Sequence, residues 1–525
     1  MGPATAMNLG RLLTHTARRV PGRPALVWRE RVWSFAELNA RVDRLCAALR
    51  ARGIGRGDRI LVHSRNSNAM FESMWAAFKL GAVWVPTNFR LTPAEVAYMA
   101  RLSRARAFLR DHDFAGHAAA VRAEGFAEFV LAVGDAGEGE EDYEAFLGTG
   151  TPLPRDHEAD VEYADPCWFF FTSGTTGRPK AAVLTHGQMG FVVTNHLADL
   201  FPGVTEQDAS LVVAPLSHGA GIHQLGQVAR GACSVLLPTE RLDVEEAWRL
   251  VEHHRIANMF TVPTILKALV EHPACDRTDK SSLRHVIYAG APMYRADQVL
   301  ALRKLGPCIV QYFGLGEVTG NITVLRADQH SLAEDGGPAP IGSCGVARTG
   351  MDIAIFDDAM NRLGPGETGE ICVRGPAVFA GYFENPEANG KAFRGGWFHT
   401  GDLGELDARG FLTITGRASD MYISGGSNVY PREAEEALLT HPAVLECAVV
   451  GLPHPRWGES GVAAVVLRPG AVVEEAELLA HLAGRLARYK QPLRVVFWDR
   501  LPQSGYGKVP KLLVKQRLED EGIRF

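Results

Sequence analysis

The chain has 525 residues, more than one hydrophobic core sustains, so at least two folded units are expected. Hydrophobic residues make up 46% and charged residues 22%, a globular balance that excludes disorder over most of the length. Lys and Arg total 55 against 60 Asp and Glu, a formal net charge of -5, which excludes a chain-wide basic field for nucleic acid or anionic lipid. The longest apolar runs, such as Cys167 to Phe171 and Leu211 to Leu216, fall far short of the ~20 residues of a membrane-spanning helix, so no integral membrane segment is expected. Met1 to Gly10 has neither a basic start nor an apolar stretch, and Ile523, Arg524 and Phe525 are not a peroxisomal tripeptide, so the expected address is cytoplasmic. Eight cysteines (46, 167, 233, 275, 308, 344, 372, 447) stand singly, with no Cys-x-x-Cys pair. They read as reduced core residues, with no nearby His or helix start to mark a nucleophile.

In chain order, Ser34 and Glu37 form a capping box ahead of Leu38, Val42, Leu45 and Leu49, which recur at helical spacing until Gly53. Short apolar runs follow at Arg59 to His63, Leu211 to Ala214, His285 to Ala289 and Ile309 to Phe313, alternating with helical stretches such as Val244 to His254. Such alternation predicts parallel strands with helical crossovers, an α/β fold. Several runs end in turn residues, Pro215, Gly290 and Gly314, and ligands of open α/β sheets sit at the carboxyl ends of strands. The acidic, Gly-rich piece Gly134 to Tyr143 reads as a surface loop. The character changes near Arg417 to Tyr430, where glycines surround a short apolar run and Pro431 opens a helix through Leu439. The expected division is therefore 1–416 and 417–525. The second unit should hold strands at Cys447 to Gly451, Gly461 to Leu467 and Leu493 to Trp498, with a helix over Glu474 to Arg488, enough for a small α+β domain.

Residues Phe171 to Lys180 read FTSGTTGRPK. Glycines let backbone N–H groups approach oxyanions, the hydroxyls of Thr172, Ser173, Thr175 and Thr176 add donors or a metal ligand, and Lys180 supplies charge. The spacing is not that of a Walker A loop. Taken alone, such a loop is more often a plain connection than a phosphate site.

The whole string closely resembles the phosphate loop of the adenylate-forming superfamily of acyl-CoA synthetases, peptide-synthetase adenylation domains and luciferases. Seven further segments match in order: Leu211 to His218, Tyr288 to Met293, Gln311 to Glu317, Gly369 to Gly375, Trp397 to Leu403, Gly416 to Glu433, and Ser504 to Lys511. The resemblance implies a large domain of parallel-rich α/β sheets with a distorted barrel, and a small mobile α+β lid. It implies an acyl-CoA synthetase that makes an acyl-adenylate from a carboxylic acid and ATP, then passes the acyl group to coenzyme A.

The same resemblance assigns roles to positions. Thr172, Ser173, Gly174, Thr175, Thr176, Gly177 and Lys180 would hold phosphate; Gly290, Ala291, Pro292, Gln311, Tyr312, Phe313 and Gly314 would line the nucleotide, with adenine stacked on Phe313. Asp402 and Arg417 would hold the ribose, and Glu317 with Thr172 would bind magnesium. Gly316 departs from the family's usual threonine, leaving the α-phosphate contact to Thr319 or a backbone N–H, or the adenylate less firmly held. Lys508 would span the α-phosphate and the acyl carboxylate. His218 would gate the acyl pocket, whose walls would include Asn195, Gly219, Ala220, Ala289, Gly290, Tyr312, Gly314 and Thr319. Gly425 and Gly426 would line the pantetheine tunnel once the lid turns about Ser419, a hydroxyl where relatives carry Asp or Lys. None of these pocket walls is Lys or Arg, so an uncharged acyl or aryl tail is expected. Several of the walls are small, with room for a medium or long fatty chain or an aromatic ring. Three other readings stay open: a ligase loading a separate carrier protein, a luciferase-like oxidative use, and an inactive nucleotide-binding homologue. A homodimer is also left open.

Overall fold

The computed structural model of the chain describes residues 5–151, 153–172, 179–291, 293–333, 336–483, 485–503 and 509–525. Ser34 caps the helix Phe35–Ala51: its hydroxyl accepts from the Glu37 N–H at 3.2 Å while the Glu37 carboxylate accepts from the Ser34 N–H at 2.7 Å.

Among the described residues, two sheets carry most of the large domain. In the first, Val83–Pro86, Arg59–His63, Ala107–Asp111 and Phe129–Val133 run parallel, and the hairpin Pro166–Thr172 with Lys180–Thr185 closes one edge. In the second, Pro24–Trp28, Cys233–Leu236, Ala209–Val212, Asn258–Thr261, His285–Tyr288 and Ile309–Phe313 are parallel neighbours. Their registers pair Val212 with Phe260, Thr261 with Tyr288, and Tyr288 with Gln311, so the strands end on one edge. From that edge emerge Pro215 to His218, Ala289 with Gly290, and Gly314. Apolar side chains fill both faces of these sheets, as parallel strands require.

An antiparallel five-stranded sheet of Asp352–Phe356, Gly369–Arg374, Phe393–Arg394, Trp397–Leu406 and Leu412–Arg417 follows, in the barrel's place along the chain. The last sheet begins at Tyr422. There Tyr422–Ser424, Ser427–Val429, Val444–His454, Gly458–Leu467 and Arg494–Phe497 pack under helices Pro431–Leu439, Glu475–Leu482 and Lys511–Asp520. This small unit docks on the large one through Arg432, whose Nη1 donates to the Ile414 carbonyl at 3.0 Å.

Three sequence expectations change. The helix expected over Glu474 to Arg488 stops at Leu482, where Ala483 is extended and a glycine follows at 484. The segment Gly134 to Tyr143 is not wholly a surface loop: the Glu140 carboxylate is buried against the Arg110 guanidinium, and Glu141–Asp142 add an edge strand. Cys372 does have a histidine beside it, with its Sγ 3.3 Å from His399 Nδ1, but burial pushes the thiol up to about 12, the opposite of a nucleophile. No helix among the described residues is long and apolar enough to cross a membrane.

Behind the first sheet, Glu72 is fully buried and takes four bonds: from Arg41 Nε at 2.6 Å and Nη2 at 3.1 Å, from Asn68 at 3.3 Å and from the Tyr143 hydroxyl at 2.6 Å. Removing Glu72 takes from Arg41 its buried partner, leaving it only the half-exposed Glu144, and strips the buried Tyr143 hydroxyl of its acceptor. Glu72→Ala should destabilise the large domain by roughly 3 kcal/mol, read as a lower midpoint of the first urea transition in tryptophan fluorescence. An unchanged midpoint would contradict the pairing.

Candidate active site

The hairpin register pairs Thr172 with Lys180, so the described residues on either side of 173–178 are cross-strand neighbours. Ser173, Gly174, Thr175, Thr176 and Gly177 lie outside the described residues, as do Pro292 and Lys508. Beside the hairpin, the one-turn helix Gly316–Val318 presents Glu317, whose Oε1 accepts from the Thr172 hydroxyl and from the Tyr382 hydroxyl, each at 2.9 Å. Lys180 Nζ sits 4.1 Å from the centre of the Tyr382 ring, a cation–π contact. Burial and the Glu317 carboxylate push the Tyr382 phenol up, so it stays a donor. Glu317 is 5% exposed, and its second oxygen takes no bond from a described residue. A hard cation bridging phosphates asks for this donor set, a carboxylate oxygen with a hydroxyl beside it, so the residues fit magnesium.

Gly316, odd in the sequence, has a steric cause. A Cβ there would lie 2.5 Å from Phe170 Cδ1 and 3.0 Å from Thr172 Cγ2. The Phe170 ring thus fills the space a threonine side chain would use. Thr319 is no replacement: its hydroxyl donates to the Val318 carbonyl at 2.7 Å and accepts from Asn321 at 3.1 Å, leaving no proton for a phosphate.

Asp402 and Arg417 are cross-strand partners, with Arg417 Nε 3.1 Å from Asp402 Oδ1, and the arginine side chain is 55% exposed against 8% for the aspartate. A carboxylate fixed this way at a cleft edge suits adjacent hydroxyls. Ser419 follows in the turn where the Arg417 carbonyl accepts from Asp420 and Met421. Gln311 Oε1 accepts from the Tyr288 hydroxyl at 3.2 Å, and Gln298 and His330 hold that hydroxyl in turn.

His218 precedes the helix Gly219–Arg230, bonds Ser217 Oγ through Nδ1 at 2.8 Å, and meets the Phe170 ring edge to face at 5.4 Å. One turn into that helix, His223 stacks on Phe260 at 4.7 Å and on Tyr312 at 5.8 Å, and the three rings lie within 27° of parallel. Ala220 and Ala289 are both buried. Asn195 turns to the Thr349 carbonyl at 2.5 Å. Arg348 lies wholly buried behind Tyr312, ion-paired with Asp199 at 3.5 Å and bonded to the Gly320 carbonyl. Gly425 and Gly426 form the tip of a small-domain hairpin, with the Trp457 ring against Gly425.

A family model described as AMP-binding enzyme matches residues 13–383, and one described as AMP-binding enzyme C-terminal domain matches 433–508. The chain belongs to the AMP-binding enzyme family. Feruloyl-CoA synthase of Amycolatopsis sp is 37% identical over 512 residues, spanning 97% of this chain and 99% of the relative. Indoleacetate–CoA ligase of Aromatoleum aromaticum is 33% identical, over 97% and 98% of the two chains. The crystal structure of ATP-bound MatB from Rhodopseudomonas palustris superposes with a TM-score of 0.88 at 29% identity, covering 98% of this chain and 100% of that one. As an AMP-binding enzyme of the acyl-CoA synthetase branch of the adenylate-forming superfamily, the chain is an AMP-forming acid–thiol ligase.

Sequence reasoning did not find Tyr382, Phe170, Phe260 or His223. Only the glycine at 316 hinted at one of them, since a missing side chain implies a neighbour that fills its place. Gly316→Thr should destabilise this AMP-binding enzyme by about 1–3 kcal/mol through overpacking. Combined with Phe170→Ala it should show a favourable coupling of about 1 kcal/mol or more in a double-mutant cycle. Strict additivity would mean that Phe170 does not occupy the site.

Proposed function

We propose that this acid–thiol ligase activates an uncharged aromatic carboxylic acid. The observation that carries the reading is the near-parallel wall of Phe260, His223 and Tyr312 beside Gly219. Flat rings favour a flat guest by offset stacking and burial. Support comes also from the relatives whose names denote feruloyl and indoleacetyl groups. Arg348 is spent on Asp199, so no described cation waits at this wall for a second carboxylate.

In the first half-reaction the acid's carboxylate oxygen bonds to the α-phosphorus of ATP, the bond to the β-phosphate oxygen breaks, and pyrophosphate leaves with that electron pair. We assign Ser173, Gly174, Thr175, Thr176, Gly177 and Lys180 to the phosphates, Asp402 with Arg417 to the ribose, Gln311 and Phe313 to the base, and Lys508 to the charge that builds at phosphorus. Glu317 and Thr172 would hold the magnesium, which neutralises phosphate charge. In the second half-reaction the coenzyme A sulfur bonds to the acyl carbon, the bond to the AMP oxygen breaks, and the thiol proton passes to solvent. For this the small domain, taken as 417–525, turns about Ser419, withdrawing Lys508 and bringing Gly425 and Gly426 to the cleft. That turn must break the Arg432 bond to Ile414.

A panel of aliphatic and aromatic acids, assayed for AMP with ATP and magnesium, tests the reading. Turnover of aromatic acids that rises with coenzyme A is expected; turnover of aliphatic acids alone would overturn the substrate class, and indifference to coenzyme A would favour a carrier-protein acceptor. Lys508→Ala should abolish adenylation while thioester formation from supplied acyl-adenylate persists. Equal loss of both steps would contradict the division of labour.

A further inference from the structure

Tyr288 is wholly buried and is the register neighbour of Gln311 on the adjoining parallel strand, so the two side chains leave the same face of the sheet. Gln311 and Phe313 are half-buried there, while Val310 and Tyr312 on the opposite face are buried. Three side chains meet at the Tyr288 hydroxyl: Gln298 Nε2 at 3.1 Å, His330 Nε2 at 3.0 Å and the Gln311 amide at 3.2 Å. Burial pushes the phenol up, so it keeps its single proton. Which neighbour receives that proton is decided at the outer ends of the cluster. His330 Nδ1 lies 2.8 Å from the Arg326 carbonyl, which can only accept, so Nδ1 carries a hydrogen. Burial draws the imidazole down to about 4, so it is neutral at pH 7 and its Nε2 offers only a lone pair. Arg295, which can only donate, holds Gln298 Oε1 at 2.7 Å, so Gln298 turns its nitrogen to the phenol. The phenol therefore accepts from Gln298 and gives its proton to His330. For Gln311 only a phenolic lone pair remains, and an amide oxygen facing it would meet oxygen with no hydrogen between them. A half-turn of the Gln311 amide exchanges its oxygen and nitrogen without changing its shape, and then every group of the cluster is paired.

We propose that His330, Tyr288 and Gln298 are positioning residues for the nucleobase: they hold the Gln311 amide with its oxygen towards the cleft, where it accepts from the exocyclic amino group of adenine and turns away a 6-oxopurine. This rests on the assignment of Gln311 to the base and adds a direction to it. An amide free to turn serves a 6-amino and a 6-oxo purine alike, since one of its ends donates and the other accepts. Locked with its oxygen forward, it pairs with the amino group but meets a 6-oxo group acceptor to acceptor, which leaves both unpaired. The three residues act through Gln311, by a chain of hydrogen bonds anchored on the Arg326 carbonyl and the Arg295 guanidinium.

The test compares dissociation constants of ATP and ITP, an amino and an oxo purine nucleotide, by calorimetric titration with magnesium into the full-length wild type, His330→Phe and Tyr288→Phe. The wild type should bind ATP more tightly by about tenfold or more, and the ratio should fall by about tenfold in His330→Phe, where the phenolic proton is free for the Gln311 oxygen and the amide turns over. Tyr288→Phe should lower the same ratio, a second route to the answer should His330→Phe fold poorly. A merely structural role would weaken both nucleotides together and leave the ratio alone. Gln311→Ala separates this inference from the reading beneath it. If Gln311→Ala loses the preference for ATP but His330→Phe and Tyr288→Phe keep it, the inference is overturned while Gln311 stays assigned to the base. If Gln311→Ala keeps the preference, or the wild type has none, the assignment of Gln311 to the base fails, and this inference with it.

Discussion

One buried carboxylate holds the large domain's three sheets together at the point where the cleft opens. Glu317 follows the last parallel strand of the second sheet, Thr172 ends a strand of the first, and Tyr382 lies between strands of the third; the two hydroxyls converge on the same Glu317 oxygen at 2.9 Å. A carboxylate 5% exposed is costly unless it is hydrogen-bonded, and two neutral donors satisfy only one of its oxygens. Its second oxygen takes no bond from a described residue and is a donor suited to a cation. Lys180, resting on the Tyr382 ring, brings positive charge to the same corner.

Packing carries this constraint towards His218 and the helix that follows it. Phe170 stands one residue before Phe171 in the strand that delivers Thr172, touches His218 edge to face, and fills the room above Gly316. The Glu317 corner and His218 therefore share a ring. Across the cleft, the stack of Phe260, His223 and Tyr312 is backed by Arg348, whose charge is met by Asp199. These aromatic rings have the charge buried behind them, the arrangement on which the proposed flat, uncharged substrate rests.

Much of this was legible in the sequence because it is local. The capping box of Ser34 and Glu37, the strand end at Phe313, the strand end expected at Ala289 and found one residue earlier at Tyr288, and the helix Pro431–Leu439 follow from spacing and turn residues within a few positions. The family resemblance rested on short strings of the same kind. What stayed hidden depends on contacts far apart along the chain. Glu317 meets Tyr382 across 65 residues and Thr172 across 145, and no periodicity reports such pairs. The same holds for His223, which reads as one more residue of an amphipathic helix until Phe260 and Tyr312 are seen beside it. The helix expected through Arg488 ended early, since its apolar spacing continued past the glycine at 484, a residue type that disfavours helix.

Calorimetric titration of ATP, with and without magnesium, into the wild type and Glu317→Gln tests the central role of that carboxylate most directly. Glutamine keeps the shape and can still accept from Thr172 and Tyr382, so only the charge is lost. The account predicts that magnesium strengthens ATP binding in the wild type and that this gain falls by about tenfold or more in the variant, while AMP binds both alike. An undiminished magnesium effect in Glu317→Gln would contradict it.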